Sequence, residues 1–195
     1  PEAQRQTVSP APASPADLEA TADVAARIAS LIDPAKLATL TGTGANPRMQ
    51  KAVYWLEAAR LEGLDPGTVA TEAVAAAGMS GLAAEMTAAS LMRSHRIAGQ
   101  LGCLDEEGLA EMRKGNAPTV RRGPYAGDQL SVDHIVPRSA CPELAAVIAN
   151  LELMPMRMNR EKSDRVGARQ IDHARKLTKA GLLHDAGLEQ VLRSQ

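Results

Sequence analysis

The apolar side chains of this chain are almost all small and aliphatic. Its 195 residues include no Phe, one Trp and two Tyr, whereas Ala, Leu, Val and Met are abundant. Small aliphatic side chains favour close helix–helix packing, so we expect a mainly helical fold. The length suffices for one well-packed domain, or for one domain with a helical extension.

Local signals divide the chain into four parts. A stretch rich in Pro, Ala and Ser predicts a disordered tail, and helix start and stop signals then follow one another. Among them, Asn46 is expected to cap a helix that has Pro47 at its first position. The expected parts are a tail at 1–15, a helical region at 16–115, a motif-bearing segment at 116–180 and a C-terminal helix at 181–195.

The pattern changes at Asn116, where turn residues and short alternating runs replace the helical periodicity. Short strands are predicted over residues 118–121, 129–132 and 151–154, followed by one helix over residues 158–179. The segment therefore contains strand, loop, strand and helix in that order.

Most residues that could perform chemistry lie in this segment. Asp133 can hold a hard divalent cation, and the adjacent His134 can accept a proton from water near neutral pH. Asn159 can supply a second, neutral oxygen ligand. Such a set suits phosphodiester hydrolysis, which needs activated water and neutralised charge. Because adjacent strand residues point to opposite faces, the strand must end or bend at Asp133 and His134.

Positive charge is concentrated in the same part of the chain, although the formal net charge is only -1. Between residues 157 and 176, seven basic side chains face three acidic ones. Such a stretch suits a polyanion, and a solvated helix face with ion pairs along the helix is the alternative. The candidate phosphate contacts are Arg121, Arg122, Arg138, Arg160, Lys162 and Arg165.

Three runs in this segment resemble the HNH endonuclease family: Val-Asp-His-Ile-Val-Pro, Asn-Leu-Glu-Leu-Met-Pro and Asn-Arg-Glu-Lys-Ser-Asp. The most similar sub-pattern ends in asparagine, as in the HNH nuclease domain of CRISPR effector proteins. The resemblance covers residues 117–166, about a quarter of the chain. It implies a ββα-metal fold, in which a hairpin packs on one helix with a single metal ion between them.

The resemblance implies a role for each of four side chains. Asp133 and Asn159 would bind the metal ion, and His134 would be the general base. Asn150 is the family's middle residue in the catalytic set, and we interpret it as a hydrogen-bonding group that pins the loop. Because the third position is Asn159 and not His, Mg²⁺ or Mn²⁺ is favoured over Zn²⁺. The cysteine pairs of a structural zinc site are missing, so upstream helices are expected to support the motif.

Each of these residues also has a structural interpretation. Asp133 and His134 could close an ordinary strand, Asn150 could cap or turn the chain, and Asn159 could cap the following helix. The two cysteines, Cys103 and Cys141, could be buried thiols or one disulfide.

The expected function is a metal-dependent HNH endonuclease that hydrolyses DNA with low sequence specificity. One alternative is an HNH-like module that binds nucleic acid without cutting it. Another is that the helical region is a protein-interaction domain that targets the nuclease. No apolar run of about twenty residues is present, so no membrane partner is expected. The compartment is open between the cytoplasm and export after leader removal, and no protein partner is indicated.

Overall fold

The computed structural model describes residues 14–194, and helices dominate them, as the apolar composition predicted. Local sequence sets the ends of several helices. Ser14 and Asp17 form a reciprocal capping box at the first helix, and Gly115, at φ +91°, ends the sixth. The N-terminal helices are α1 (Pro15–Ile32), α2 (Pro34–Leu37), α3 (Asn46–Leu61), α4 (Pro66–Ala76), α5 (Gly81–Gln100) and α6 (Glu106–Lys114).

Two boundaries in this region differ from the predictions. The tail predicted at 1–15 lies outside the described residues up to residue 13, whereas Ser14 and Pro15 already belong to the start of α1. The cap predicted at Asn46 is wrong by one residue, because Ala45 occupies the N-cap position and has no side chain that could cap the helix. Asn46 is instead the first helical residue, and its buried Oδ1 has no hydrogen-bond partner among residues 14–194.

The C-terminal part is built on a two-stranded antiparallel hairpin, in which Leu130 lies opposite Pro155 and His134 opposite Leu151. The strand predicted at 118–121 is reduced to a single bridge between Thr119 and Gln129. The elements are β1 (Leu130–His134), 3₁₀ turns at Pro142–Leu144 and Ile148–Asn150, β2 (Leu151–Pro155), α7 (Met156–Lys162), α8 (Ala168–Lys179) and α9 (Asp185–Arg193).

The single helix predicted over residues 158–179 is wrong, because the chain forms two helices there. Ser163 has φ +55°, the left-handed region that a right-handed helix cannot include, so α7 ends at Lys162. Gly167 then precedes the first residue of α8. The break keeps α7 short and separates it from α8.

One buried cluster joins the helical region to the hairpin. It contains Met49 of α3 and Leu91 of α5 together with Leu130 and Leu153 of the two strands. Polar contacts follow the same interface. Gln50 Nε2 donates to the Leu130 carbonyl at 2.9 Å, and Ser90 Oγ lies 2.8 and 2.7 Å from the carbonyls of Ile148 and Leu151. The helices therefore hold the hairpin by its side chains and by its main chain.

A second buried cluster lies under α8 and α9, where Leu177 and Val191 pack against Val136 and Leu144 of the connection between the strands. Both cysteines are free and buried, Cys103 in the first cluster and Cys141 in the second. None of the helices within residues 14–194 is long and apolar enough to cross a membrane.

We predict that the helical region and the hairpin unfold as one unit. Leu153→Ala opens a cavity at a completely buried position of β2 and should lower the free energy of unfolding by about 3 kcal/mol. Trp55, the only Trp of the chain, lies in α3, so its fluorescence reports on the other side of the interface. Urea titrations followed by fluorescence and by circular dichroism should shift together.

The matched control is Leu61→Ala, at a position that is 63% exposed, which should change stability by about 0.5 kcal/mol or less. A fluorescence transition that stays at its wild-type midpoint in Leu153→Ala would contradict the shared core.

Candidate functional site

A cleft of about 720 Å³ opens at the end of β1, and we call it the β1 cleft. Residues from both parts of the chain line it. The helical region contributes Thr41, Gly42, Thr43 and Asn46, and the C-terminal part contributes Asp133, His134, Arg138, Asn159, Lys162 and Asp164 among others.

Strand β1 brings Asp133 into this cleft, and α7 brings Asn159. Ser131 and Asp133 lie on the same face of β1, because alternate strand residues share a face. Asn159 Nδ2 lies 3.4 Å from Ser131 Oγ, a long contact that places α7 over this face. The adjacent residues Asp133 and His134 therefore line one cavity with Asn159, which is distant from them in sequence.

His134 is the last residue of β1 and is only 8% exposed. Its Nε2 lies 2.9 Å from the Ala145 carbonyl oxygen. Because a carbonyl only accepts, Nε2 must carry the hydrogen, and Nδ1 of the neutral ring is left as the acceptor. Burial lowers the pKa of His134. The hydrogen bond to Ala145 opposes this lowering, whereas the charge of Arg138 lowers the pKa further. His134 is therefore a neutral imidazole with a free basic nitrogen at pH 7.

Asn150 is completely buried and lies behind the β1 cleft. Its Oδ1 accepts from Val136 N at 2.9 Å, and its Nδ2 donates to the Val136 carbonyl at 3.0 Å. A longer contact of 3.4 Å joins Nδ2 to the Leu144 carbonyl. Asn150 ends the connection between the two strands, and its side chain ties this end to the main chain just after His134. Both the oxygen and the nitrogen of its amide form hydrogen bonds, as a positioning role requires.

Lys162, predicted as a phosphate contact, is instead bonded to the candidate metal ligand. Its Nζ lies 2.5 Å from Asp133 Oδ2 and 2.6 Å from the main-chain oxygen of His134. Burial raises the pKa of Asp133, and the hydrogen bond and charge of Lys162 oppose that rise. The Asp133 carboxylate is therefore buried with one cationic partner supplied by the C-terminal residue of α7.

Glu152 is a buried acid that lies directly across from Asp133 on β2. Arg169 Nη2 binds both of its carboxylate oxygens, at 2.7 and 2.8 Å, and Arg93 Nε lies 3.4 Å from it. The two arginines offset part of this charge, and the charge of Glu152 still raises the pKa of Asp133.

The oxygen atoms beside Lys162 are suitable for a small cation. Within residues 14–194, no three His, Cys, Asp or Glu side chains come together as a metal-ligand cluster. Mg²⁺ needs fewer protein ligands than that, because it keeps several of its waters. Asp133 Oδ2 and the His134 carbonyl already share one ammonium group, which serves as a stand-in cation, and Asn159 lines the same cavity.

The predicted phosphate contacts fall into two groups. Arg138 is exposed in the β1 cleft, and Arg160 and Arg165 are exposed on and after α7; none of the three forms an ion pair with an acid in the described part of the chain. Arg121 and Arg122 lie elsewhere.

Arg121 forms ion pairs with Asp105 and Glu107 at the start of α6. Arg122 lines a separate depression of about 470 Å³ that shares no lining residue with the β1 cleft. A turn separates these two arginines from β1, and both arginines lie beside α5 and α6.

Sequence reasoning missed the loop at residues 41–44, which we call the Thr-Gly loop. Its Thr-Gly-Thr-Gly composition indicates a tight turn between helices, and nothing in the local sequence relates it to Asp133. Only the packing of α3 against β1 brings the two together.

In comparisons with known proteins, no family model, no curated protein and no solved structure matched this chain.

We predict that Lys162 competes with a divalent ion for Asp133. Lys162→Met removes the ammonium partner of a buried carboxylate and should lower the free energy of unfolding by about 1–3 kcal/mol without metal. The same change should tighten Mn²⁺ binding in calorimetry, because the ion no longer has to displace the ammonium. Lys114→Met, which breaks a pair between the exposed Lys114 and Glu111, is the control and should alter neither quantity. Weaker Mn²⁺ binding in Lys162→Met would contradict the competition.

Proposed function

We propose that this chain is a metal-dependent endonuclease of the HNH type that hydrolyses phosphodiester bonds of DNA. One observation carries the proposal. The Asp133–His134 pair and Asn159 come from separate parts of the motif and line a single cleft, with the Nδ1 of a neutral His134 free to accept a proton. The antiparallel hairpin followed by α7 is the element order that the resemblance to this family implies.

His134 would act as the general base. Its Nδ1 takes a proton from a water molecule as that water attacks phosphorus, and Nε2 stays bonded to the Ala145 carbonyl. This bond holds the ring in one orientation and stabilises the imidazolium that forms. Asn150 fixes the main chain on which the ring depends.

Asp133 and Asn159 would hold one divalent ion, Mg²⁺ or Mn²⁺, which supplies charge neutralisation at the phosphate and at the leaving oxygen. Lys162 would then leave Asp133 and present its ammonium to the substrate. Arg138, which is exposed in the cleft without an acidic partner among the described residues, would bind a backbone phosphate.

Contacts of this kind act on the sugar–phosphate backbone and carry no sequence information. The basic side chains near the cleft, Arg138, Arg160, Lys162 and Arg165, are suited to this type of binding. We therefore propose low sequence specificity.

A module that binds nucleic acid without cutting is the second candidate. The contact between Lys162 and Asp133 favours it, because an ammonium at that point fills the place of an ion. The intact base and ligands favour the nuclease. Activity assays separate the two.

We predict that the purified chain nicks or linearises supercoiled plasmid in Mg²⁺ or Mn²⁺ and not in chelator. His134→Ala should reduce the rate by at least about 10²-fold, the usual contribution of a general base, and leave DNA binding in gel-shift assays nearly unchanged. His184→Ala, at an exposed position before α9, is the control and should cut like wild type. Full activity in His134→Ala would remove this residue as the base.

The acid limb of the pH–rate profile should follow His134. Since burial lowers its pKa below the ordinary 6.5, the neutral base predominates at pH 7, and the rate should fall only as pH drops below 6.5. Arg138 also lowers this pKa, so Arg138→Gln should raise it and move the limb to higher pH. Single-turnover rates over pH 5–8 measure the acid limb in wild type and in Arg138→Gln. A limb that moves to lower pH in Arg138→Gln would contradict the assignment.

A further inference from the structure

The Thr-Gly loop forms the wall of the β1 cleft that faces Arg138. Thr41, Gly42 and Thr43 all line the cleft, and a Cβ placed on Gly42 would lie 3.4 Å from Arg138 Nη1. Gly42 has φ +60°, a conformation that glycine adopts without strain. The loop of the helical region and the arginine of the C-terminal part are therefore close neighbours across one cavity.

This wall is rich in hydrogen-bond donors. The main-chain N–H groups of Thr41, Gly42 and Thr43 find no acceptor among residues 14–194, and the hydroxyls of the two threonines form no hydrogen bond there either. Backbone N–H groups need a partner, which is water or a ligand when no protein acceptor is present. Successive N–H groups in such a turn are a common anion-binding arrangement.

The charge of the cleft points the same way. Asp133 is neutralised by Lys162, whereas Arg138 beside the Thr-Gly loop has no acidic partner within the described range. Among the described residues, the other unpaired charge of the lining is Asp164, which follows α7. Arg138 and His134 line the same cleft. A positive group and a row of donors thus border the site at which the base acts.

We propose that residues 41–43 and Arg138 form a subsite for the backbone phosphate next to the one that is cut. The helical region is then part of the substrate site and positions the strand relative to His134. This inference rests on the proposed nuclease function and adds a positioning role for a segment outside the motif.

The test places opposite charges at one exposed position of the loop. Thr43→Glu should weaken binding of a fluorescent DNA oligonucleotide about fivefold or more, and Thr43→Lys should strengthen it. Anisotropy is measured with Ca²⁺ in place of Mg²⁺ over a range of salt concentrations. The slope of log Kd against log salt should decrease by about 0.7–0.9 for the loss of one phosphate contact and increase in the lysine variant.

The matched controls are Thr71→Glu and Thr71→Lys, which make the same charge changes at an exposed position of α4, away from the cleft. Both should change Kd less than twofold. Arg138→Gln should also weaken binding, and the loss in Thr43→Glu with Arg138→Gln should be smaller than the product of the single losses, because both residues act on one phosphate.

The outcomes separate the subsite from the nuclease function. If wild type binds and cuts DNA but the two Thr43 variants shift Kd in the same direction, or no more than the Thr71 variants, the subsite is wrong and the nuclease stands. If wild type neither binds nor cuts DNA under any metal condition, the proposed function falls and the subsite falls with it. Melting temperatures close to wild type confirm that both Thr43 variants fold.

Discussion

The packing of the hairpin against α3 and α5 is the contact on which the rest of this structure depends. Two strands alone are marginally stable in water, and no cysteine pairs are present to add a zinc site. The helical region supplies the missing support through Leu91 and Met49, and through bonds to the strand main chain from Gln50 and Ser90. The end of β1, and with it His134, is therefore placed by residues far away in sequence.

Local chemistry predicted the parts of the fold that local chemistry controls. The predicted end of β1 at the Asp-His pair follows from adjacent residues, and the observed capping box at Ser14 and left-handed Gly115 also follow from residues within a few positions of each other. The break after Lys162 did not, because the helical periodicity continues through Ser163 and hides the turn. The positions of Arg121 and of the Thr-Gly loop depend on long-range packing, which periodicity does not contain.

The candidate site shows the same division. Asp133, His134 and Asn159 could be selected from sequence because their chemistry and order resemble a family pattern. Strand β1 and helix α7 bring them to one cleft. The partner of Asp133 could not be selected with them. Lys162 was predicted to contact phosphate because of its charge. A buried carboxylate is costly without a cationic partner, however, and the short α7 places Lys162 within hydrogen-bond distance of Asp133.

In the proposed nuclease, the exchange of Lys162 for a divalent ion would link the metal site to substrate binding. In the described arrangement Asp133 is balanced by Lys162, and Glu152 by Arg169 and Arg93, whereas Arg138 and Asp164 line the cleft without ion-pair partners among residues 14–194. When Lys162 leaves Asp133, a free ammonium joins Arg138 in the same cavity. Its positive charge would strengthen phosphate binding, and by linkage a bound phosphate would favour the released lysine and therefore the ion. DNA and metal should for this reason bind cooperatively, a coupling that a cleft without a buried ammonium would lack.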